Sequence, residues 1–486
     1  MATPQTRLRE LLPGARELGA LLAARALADA VAWASGFRAL SDDDYARISI
    51  AQRFAQAPSI DPSGTSWLPA PFWLYGAAFR GFGAGLSVAR VTAILLGLGA
   101  TVLVYIAART LGTSRLAAVL AAVLSCCSVR YSTLLGLAAV PEVPCAALLL
   151  FAATALARPA PGLRAWGVLA LFTACLSRYE AWPIAAIFAC FCGRDALKQR
   201  RVGYALCALA ALAGPVAWLA LGHATHGDAL FFVARVADYR RALGGDPTSI
   251  WQRLLEYPWL LLRGAPALFV ALLLVALLSR EHPPLPRLSA GRSLLALLGM
   301  LAFLMLGSVR DGVPTHHAGR VLLPIWFFGC IVAAQGLVAC GAIASRRVSV
   351  CVACVVLLPI ALLLVQRNDF LDRSLEIEAG QVAREYAART LGGPAQAEPE
   401  LLIDTPDYGF FAVQAGFGSP RRTSVVVDHD PRHPRPDPFH SAQTQDLWGH
   451  PQAAFVIATP EHCALLEERC AKVWQNARFA LLRCAR

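Results

Sequence analysis

The feature that most limits how this chain can fold is a succession of apolar runs separated by short basic connections. Runs able to cross ~30 Å of hydrocarbon as helices, or nearly so, occur at about 17–37, 88–108, 115–129, 138–157, 165–177, 181–193, 202–222, 259–279, 293–309, 320–343 and 348–365. Eleven such segments predict a multi-pass α-helical membrane bundle, because in hydrocarbon a helix satisfies every backbone polar group internally. With 57% hydrophobic residues, 16% charged and a mean hydropathy of +0.52, an ordinary soluble domain is excluded. The first run has no small-residue cleavage site and passes into an acidic loop, so it is expected to act as an uncleaved signal-anchor.

Basic residues set an expected orientation. Arg7, Arg9 and Arg16 precede the first run, and alternate connections carry Arg109 and Arg115; Arg158 and Arg164; Arg194, Lys198, Arg200 and Arg201; Arg280, Arg287 and Arg292; and Arg346 and Arg347. Assigned to the cytoplasm, they leave the first acidic loop and the C-terminal tail outside a bacterial-type inner (plasma) membrane. The net charge of +12 is scattered through these connections, a pattern suited to topology and anionic lipid phosphates and not to nucleic acid. Arg130, Arg178, Arg235, Arg240, Arg241, Arg310 and Arg320 fall on the outer side against the usual bias. Holding a phosphate would account for them.

The first outer loop, Ser41–Tyr75, concentrates the polar chemistry. Asp42, Asp43 and Asp44 lead into an amphipathic run, Tyr45–Gln56, then a Pro/Ser/Gly loop and the cluster Trp67-Leu68-Pro69-Ala70-Pro71-Phe72-Trp73. Three adjacent carboxylates cannot all ionise cheaply, so one is expected to titrate nearer to neutrality. A sugar leaving from a phosphate needs no general acid; one carboxylate to take the acceptor's proton and cations on the phosphate suffice. A glycoside hydrolase would instead need two carboxylates flanking the bond. Against the catalytic reading stands a structural one, in which the aspartates only cap the helix Tyr45–Gln56.

Other polar interruptions lie on the same side: Glu142 within Pro141-Glu142-Val143-Pro144, and Arg178-Tyr179-Glu180 between two short runs. Arg25 and Asp29, spaced i,i+4 inside the first run, read as a neutral structural pair. Ala229–Leu243 is expected to lie on the membrane surface as an amphipathic helix. The pair His316-His317, within Val309–Arg320, lacks further ligand spacing and reads as loop.

Of the 14 cysteines, Cys126, Cys127, Cys145, Cys175, Cys190, Cys192, Cys207, Cys330, Cys340, Cys351 and Cys354 sit in or beside apolar runs, where they pack as small residues. No two cysteine pairs have zinc spacing, so no metal cluster is expected. Composition changes after Val365, dividing the chain into a membrane domain, 1–365, and a small α/β domain, 366–486. There, Gln366–Arg389 and Pro460–Trp474 read as helices. Leu401–Asp404, Thr423–Val427 and Ala454–Ala458 read as short buried strands, the helix Pro460–Trp474 precedes Phe479–Cys484, and Asp428–Pro438 reads as loop. Cys463, Cys470 and Cys484 leave room for one disulfide if the tail is outside; on a single helix the first two would stand ~10 Å apart, too far to bond. This domain shows no phosphate loop or nucleophile motif, so packing, acceptor handling or partner contact are its expected roles.

Asp42-Asp43-Asp44-Tyr45, Pro69-Ala70-Pro71-Phe72-Trp73, Ala89-Arg90, the Pro141-Glu142 break, Arg178-Tyr179-Glu180-Ala181-Trp182, and Gly319-Arg320 before Leu322-Leu323-Pro324 follow a recognisable order. In that order the chain resembles the GT-C membrane glycosyltransferases, specifically the polyprenyl- or dolichyl-phosphate-sugar branch with protein O-mannosyltransferases and aminoarabinose transferases. The resemblance covers roughly residues 15–365. It implies inverting transfer of a sugar from a polyprenyl-phosphate donor to an extracytoplasmic lipid, glycan or protein. It names no certain cofactor and leaves room for a divalent cation.

Carried onto this sequence, the catalytic candidates are Asp42, Asp43 and Asp44, and the donor-phosphate candidates Arg90, Arg178 and Arg320. Trp67, Pro71, Phe72, Trp73, Tyr45, Tyr179, Glu142 and Glu180 become substrate-binding candidates. Leu68 departs from the pattern, standing where many relatives carry a basic residue, so part of the phosphate contact must come from elsewhere. Two other classes are compatible with a basic multi-span bundle. A lipid-linked-sugar flippase would carry repeat symmetry and midplane charges. A non-enzymatic envelope assembly protein would have no use for the acid–aromatic–arginine order.

Overall fold

A computed structural model describes residues 10–243, 249–278, 290–311, 317–340, 346–365, 370–391, 401–432, 454–467 and 470–484. Arg280, Arg287, His316, 366–369 and 433–438 therefore lie outside the described residues. Each apolar run is largely helical among the described residues. The helices are Ala15–Ala34, Leu86–Thr110, Arg115–Cys127, Glu142–Ala155, Pro161–Cys175, Ala181–Gln199, Val202–Ala211 with Ala213–His226, Ile250–Arg263 with Pro266–Leu278, Gly291–Asp311, Leu323–Ala339 and Arg346–Val365.

Helix length among the described residues does not confirm the expected count of about eleven spans. Among the described residues, Leu86–Thr110, Val202–His226, Gly291–Asp311 and Ala318–Ala339 are each long and apolar enough to cross a bilayer. A fifth follows if Ile250–Arg263 and Pro266–Leu278, bent by 73°, count as one. Arg115–Cys127 and Glu142–Ala155 are short apolar helices packed inside protein, where a helix need not match the hydrocarbon thickness. The run read as one span at 259–279 breaks at Gly264 and Ala265, just ahead of Pro266. A Cβ at Gly264 would lie 2.5 Å from the Trp326 ring and 2.8 Å from the Leu260 carbonyl, so the bend is packed against that indole. Ile250–Arg263 leaves Trp251, Leu255, Trp259 and Leu262 exposed along one stripe. The segment expected to be an amphipathic helix is helical over Phe231–Ala242.

Small residues bring the helices together. Ala107, Ala108, Ala118, Ala121, Ala122, Ala146 and Ala147 are fully or almost fully buried, and in a bilayer such faces allow close backbone approach. Most of the described cysteines are buried there too, Cys190 and Cys354 being exposed. Arg25 pairs with Asp29 as the i,i+4 spacing predicts, and also donates to the backbone carbonyls of Ser132 (2.9 Å) and Thr133 (3.3 Å). Gly136 makes the room, since a Cβ there would fall 1.3 Å from the guanidinium. Every donor spent this way lowers the cost of a charge inside the bundle.

Beyond Val365, helix Ser374–Leu391 covers a five-stranded sheet. Its strands are β1 (Leu401–Ile403), β2 (Thr423–Val425), β3 (Phe455–Ala458), β4 (Cys470–Gln475) and β5 (Ala480–Cys484), in the order β2-β1-β3-β5-β4. β1 runs parallel to β2 and β3, while β5 is antiparallel to β3 and β4. The helix read over Pro460–Trp474 ends at Leu466, and its second half becomes β4. Cross-strand pairing with β5 overrides the helical reading of that segment. It also sets Cys470 opposite Cys484, and these two form a disulfide with Cα atoms 4.0 Å apart. Cys463 stays free and buried. Helix Phe410–Phe417, absent from the sequence reading, packs on Ser374–Leu391 and on the first-loop helix Asp42–Gln56. Ser49 donates to the Phe411 carbonyl (3.1 Å), and Gln52 to those of Ala415 (3.0 Å) and Ala84 (2.8 Å). The first loop and the C-terminal layer thus share one end of the bundle.

Candidate active site

Helix Asp42–Gln56 begins at Ser41, whose extended backbone (φ −157°) turns the chain without a side-chain cap bond. The three aspartates fill its first turn and point to three different partners, since successive helical residues are ~100° apart. Asp42 accepts a fork from Arg373, Nε to Oδ1 and Nη2 to Oδ2, both at 2.9 Å. Asp43 faces Arg320, 3.4 Å from Nη2, and keeps 40% of its side chain exposed. Asp44 is buried at 3% and accepts from the Leu40 amide at 2.7 Å. Burial, more than the neighbouring Glu142 and Asp43 charges, pushes its carboxyl up to about 7, while the Leu40 amide and Arg320 pull the other way. One aspartate therefore titrates near neutrality, but desolvation is the first cause and Asp44 is the one affected.

Beside Asp43 lies a cluster of arginines and acids from distant parts of the chain. Glu142, buried at the start of Glu142–Ala155, pairs with Arg178, and Arg320 Nε lies 3.5 Å from it. Arg178 also pairs with Glu180. Burial works against the Arg178 charge, but Glu180 and Glu142 outweigh it and hold the guanidinium firmly protonated. Arg47 completes the group, one helical turn from Asp43. Its guanidinium lies over Trp67 at 4.4 Å and over Phe72 at 5.9 Å, and its Nε is buried with no hydrogen-bond partner. Among the described residues no carboxylate is in ion-pair range of it. Sequence reading missed Arg47. The available signal was its i+4 spacing from Asp43, and it stands over the residue that precedes Leu68, where the expected basic side chain is lacking.

The aromatic candidates divide into two roles. Trp67 and Phe72 stack on each other, centroids 6.2 Å apart, beneath Arg47. Tyr179 donates to the Ser66 carbonyl (2.8 Å), accepts from Trp218 Nε1 (3.1 Å) and stacks on Phe232 (4.4 Å), pinning the loop to the bundle. Trp73 packs in that same cluster with Leu68 and Trp218, and Pro71 is buried in the first turn of Ala70–Phe82.

Asp44, Tyr45 and Arg90 are not brought to this cluster. With Trp33, Ile48 and Glu378 they line a separate cavity of about 490 Å³ under helix Ser374–Leu391. Arg90 gives its donors to the backbone carbonyls of Leu137 and Arg38 (2.7 Å). Two of the arginines expected on the outer side, Arg241 and Arg310, pair with Asp238 and Asp311 in their own segments. His317 adopts a left-handed backbone (φ 48°) and sits at the edge of Tyr131. Among the described residues no group of three or more His, Cys, Asp or Glu converges as a metal site.

No protein-family model and no curated protein matches this sequence. Solved structures do match its fold. The structure of ArnT from Cupriavidus metallidurans bound to undecaprenyl phosphate superposes with a TM-score of 0.61 at 15% identity, covering 96% of this chain and 98% of that one. The apo form of the same protein gives 0.60 at 14%, with 96% and 97% covered. The Archaeoglobus fulgidus oligosaccharyltransferase gives 0.53 at 14%, covering 92% of this chain and 70% of that one. At such identities the likeness is one of architecture, and that architecture is the GT-C membrane fold whose motifs the sequence resembles.

Proposed function

We propose that this GT-C-fold membrane protein transfers a sugar from a polyprenyl-phosphate donor to a hydroxyl or amine of an extracytoplasmic lipid, glycan or protein. The carrying observation is the placement of an open carboxylate, Asp43, one helical turn from a buried guanidinium, Arg47, that has no carboxylate in ion-pair range among the described residues. Burial disfavours the Arg47 charge and the Glu142 and Asp43 carboxylates offset it only from a distance, so the position favours an arriving anion. Arg320 and Arg178 add two more cations, each already oriented by Glu142.

In this reading the donor phosphate sits among Arg47, Arg178 and Arg320, and the sugar lies near the stacked Trp67 and Phe72. The acceptor oxygen or nitrogen attacks the anomeric carbon from the face opposite the phosphate. As that bond forms, the carbon–oxygen bond to phosphate breaks and the lipid phosphate leaves as an anion. Asp43 takes the acceptor's proton, and the configuration inverts. The arginines stabilise the charge that develops on the leaving oxygen, where preorganised cations contribute most. Glu142 and Glu180 act by holding Arg178 and Arg320 in place. The Cys470–Cys484 disulfide supports an extracytoplasmic C-terminal layer, since such bonds persist on the oxidising side of the membrane.

Two measurements test the proposal. Purified protein in nanodiscs should bind undecaprenyl phosphate, followed by tryptophan fluorescence. Mass spectrometry of envelope lipids, glycans and glycoproteins should show a glycoform that disappears on deletion of the gene and returns with the wild-type chain. Absence of both results would sink the reading.

A further inference from the structure

Asp42, like Asp44, is left unused by the chemistry above, yet it carries the most elaborate ion pair of the three. Its partner Arg373 belongs to the chain just past the last apolar helix, 331 positions away in sequence. That guanidinium is almost fully enclosed, with 6% of its side chain exposed. Nη1 donates to Glu376 (2.9 Å) and Asp407 (3.0 Å), and Arg478 in turn reaches Glu376 (2.7 Å). Asp407 comes from the turn after β1 and closes it by accepting from the Gly409 amide (2.8 Å). All the groups behind Arg373 therefore belong to the C-terminal layer, and only its outward fork crosses to the first loop.

The neighbouring backbone is fastened as well. Ala39 and Leu371 form an isolated antiparallel bridge, and Phe37 meets Phe370 edge-on at 5.2 Å. Together these contacts clasp the chain on either side of Ser41, where helix Asp42–Gln56 starts. A bidentate Arg–carboxylate pair fixes orientation as well as distance. It also neutralises the carboxylate next to Asp43, sparing that residue an uncompensated like charge.

We propose that Arg373 is a positioning residue for the transfer reaction: acting through Asp42, it fixes the first turn of helix Asp42–Gln56 so that Asp43 points at the acceptor. This rests on the reading of Asp43 as proton acceptor. It makes the C-terminal layer part of the reaction machinery, since that layer supplies the side chain that aims the base without touching the substrate.

The test uses full-length protein in nanodiscs and in the deletion strain, with Arg373→Ala, Arg373→Lys, Asp42→Asn and the double variant Arg373→Ala/Asp42→Asn. Asp42→Asn leaves Arg373 with Glu376 and Asp407, so it loosens the clasp without opening the C-terminal network. Hydrogen exchange should rise over residues 39–46 in Arg373→Ala and in Asp42→Asn, with β1, β3 and β5 still protected. The envelope product should fall ~10–100-fold at matched protein level, as expected when a reacting group is misplaced by about 1 Å. Undecaprenyl phosphate should bind within about twofold of wild type in each variant, because the cations that hold the phosphate are untouched. Arg373→Lys should recover part of the product, and the double variant should lose no more than Arg373→Ala alone.

Full product formation by Arg373→Ala and Asp42→Asn, strictly additive losses, or unchanged exchange over 39–46 would each overturn the proposal. If the wild-type chain neither binds undecaprenyl phosphate nor alters the envelope, the transferase reading fails instead. The exchange measurement then still decides whether Arg373 holds the helix start.

Discussion

Asp43 and Arg47 stand one turn apart on helix Asp42–Gln56, the first a 40%-exposed carboxylate and the second a buried guanidinium laid over Trp67. The i,i+4 spacing puts acid and base on one face, yet no direct ion pair forms between them. Asp43 turns to Arg320, and Arg47 lies against the aromatic pair. A phosphate placed near Arg47, Arg178 and Arg320 would leave the Asp43 carboxylate free for an acceptor.

Replacing Asp43 by Asn keeps shape and hydrogen bonding but removes proton acceptance. Turnover, read as envelope product, should fall 10²–10⁴-fold while undecaprenyl phosphate binding and Tm stay near wild type. Asp44→Asn should keep turnover within several-fold, because its carboxylate is closed off by burial and the Leu40 amide. Near-normal product from Asp43→Asn would leave the first turn a purely structural cap.

Arg47→Ala gives the cleanest probe of donor binding. Among the described residues it strands no ion-pair partner, so the fold should survive while the Kd for undecaprenyl phosphate rises about 10–150-fold, the loss of one charge-assisted contact of ~1.5–3 kcal/mol. Arg178→Ala should instead lower Tm first, because it leaves the buried Glu142 and Glu180 carboxylates without their shared cation. Unchanged affinity in Arg47→Ala would move the phosphate elsewhere.

Asp44 makes stability depend on pH in an uncommon direction. Its carboxyl titrates at about 7 in the folded protein against 3.8 as a free side chain. Between those values the native state holds a proton that the unfolded chain has released, so stability falls as pH rises. Above pH 7 the cost is fully present, on the order of 4 kcal/mol at most. Asp44→Asn should therefore have a higher Tm than wild type at pH 8, with the gap closing toward pH 4. A gap independent of pH would mean that Asp44 is not the titrating group.

The Cys470–Cys484 bond closes a loop of 14 positions. A cross-link of that span stabilises by roughly 3 kcal/mol through the unfolded chain. Reduction, or Cys470→Ser with Cys484→Ser, should lower the melting temperature of the C-terminal layer while the membrane helices keep their helicity. Peptide mapping of non-reduced protein should recover the linked pair; free thiols at both positions in protein from its native membrane would place this layer on the reducing side.

Sequence alone determined the class of the molecule, because long apolar runs separated by short basic connections are local properties that a bilayer sorts into a helical bundle. The main apolar helices before Val365 followed from the same runs, as did the Arg25–Asp29 pair, whose spacing is set by a single helix. Only tertiary structure decided what the three aspartates do. Their first-turn position was legible, but the partners that distinguish them are remote: Arg373 from beyond the last apolar helix, Arg320 from the start of Leu323–Ala339, and for Asp44 the enclosure around it. The same holds for Arg90, which neighbours the first loop in sequence yet spends its donors on backbone carbonyls in a separate cavity, and for Arg47, which lies over Trp67 with no carboxylate in ion-pair range among the described residues. Pattern and period fix which face of an element is apolar; which charge meets which is settled by packing, when segments hundreds of residues apart share one desolvated space.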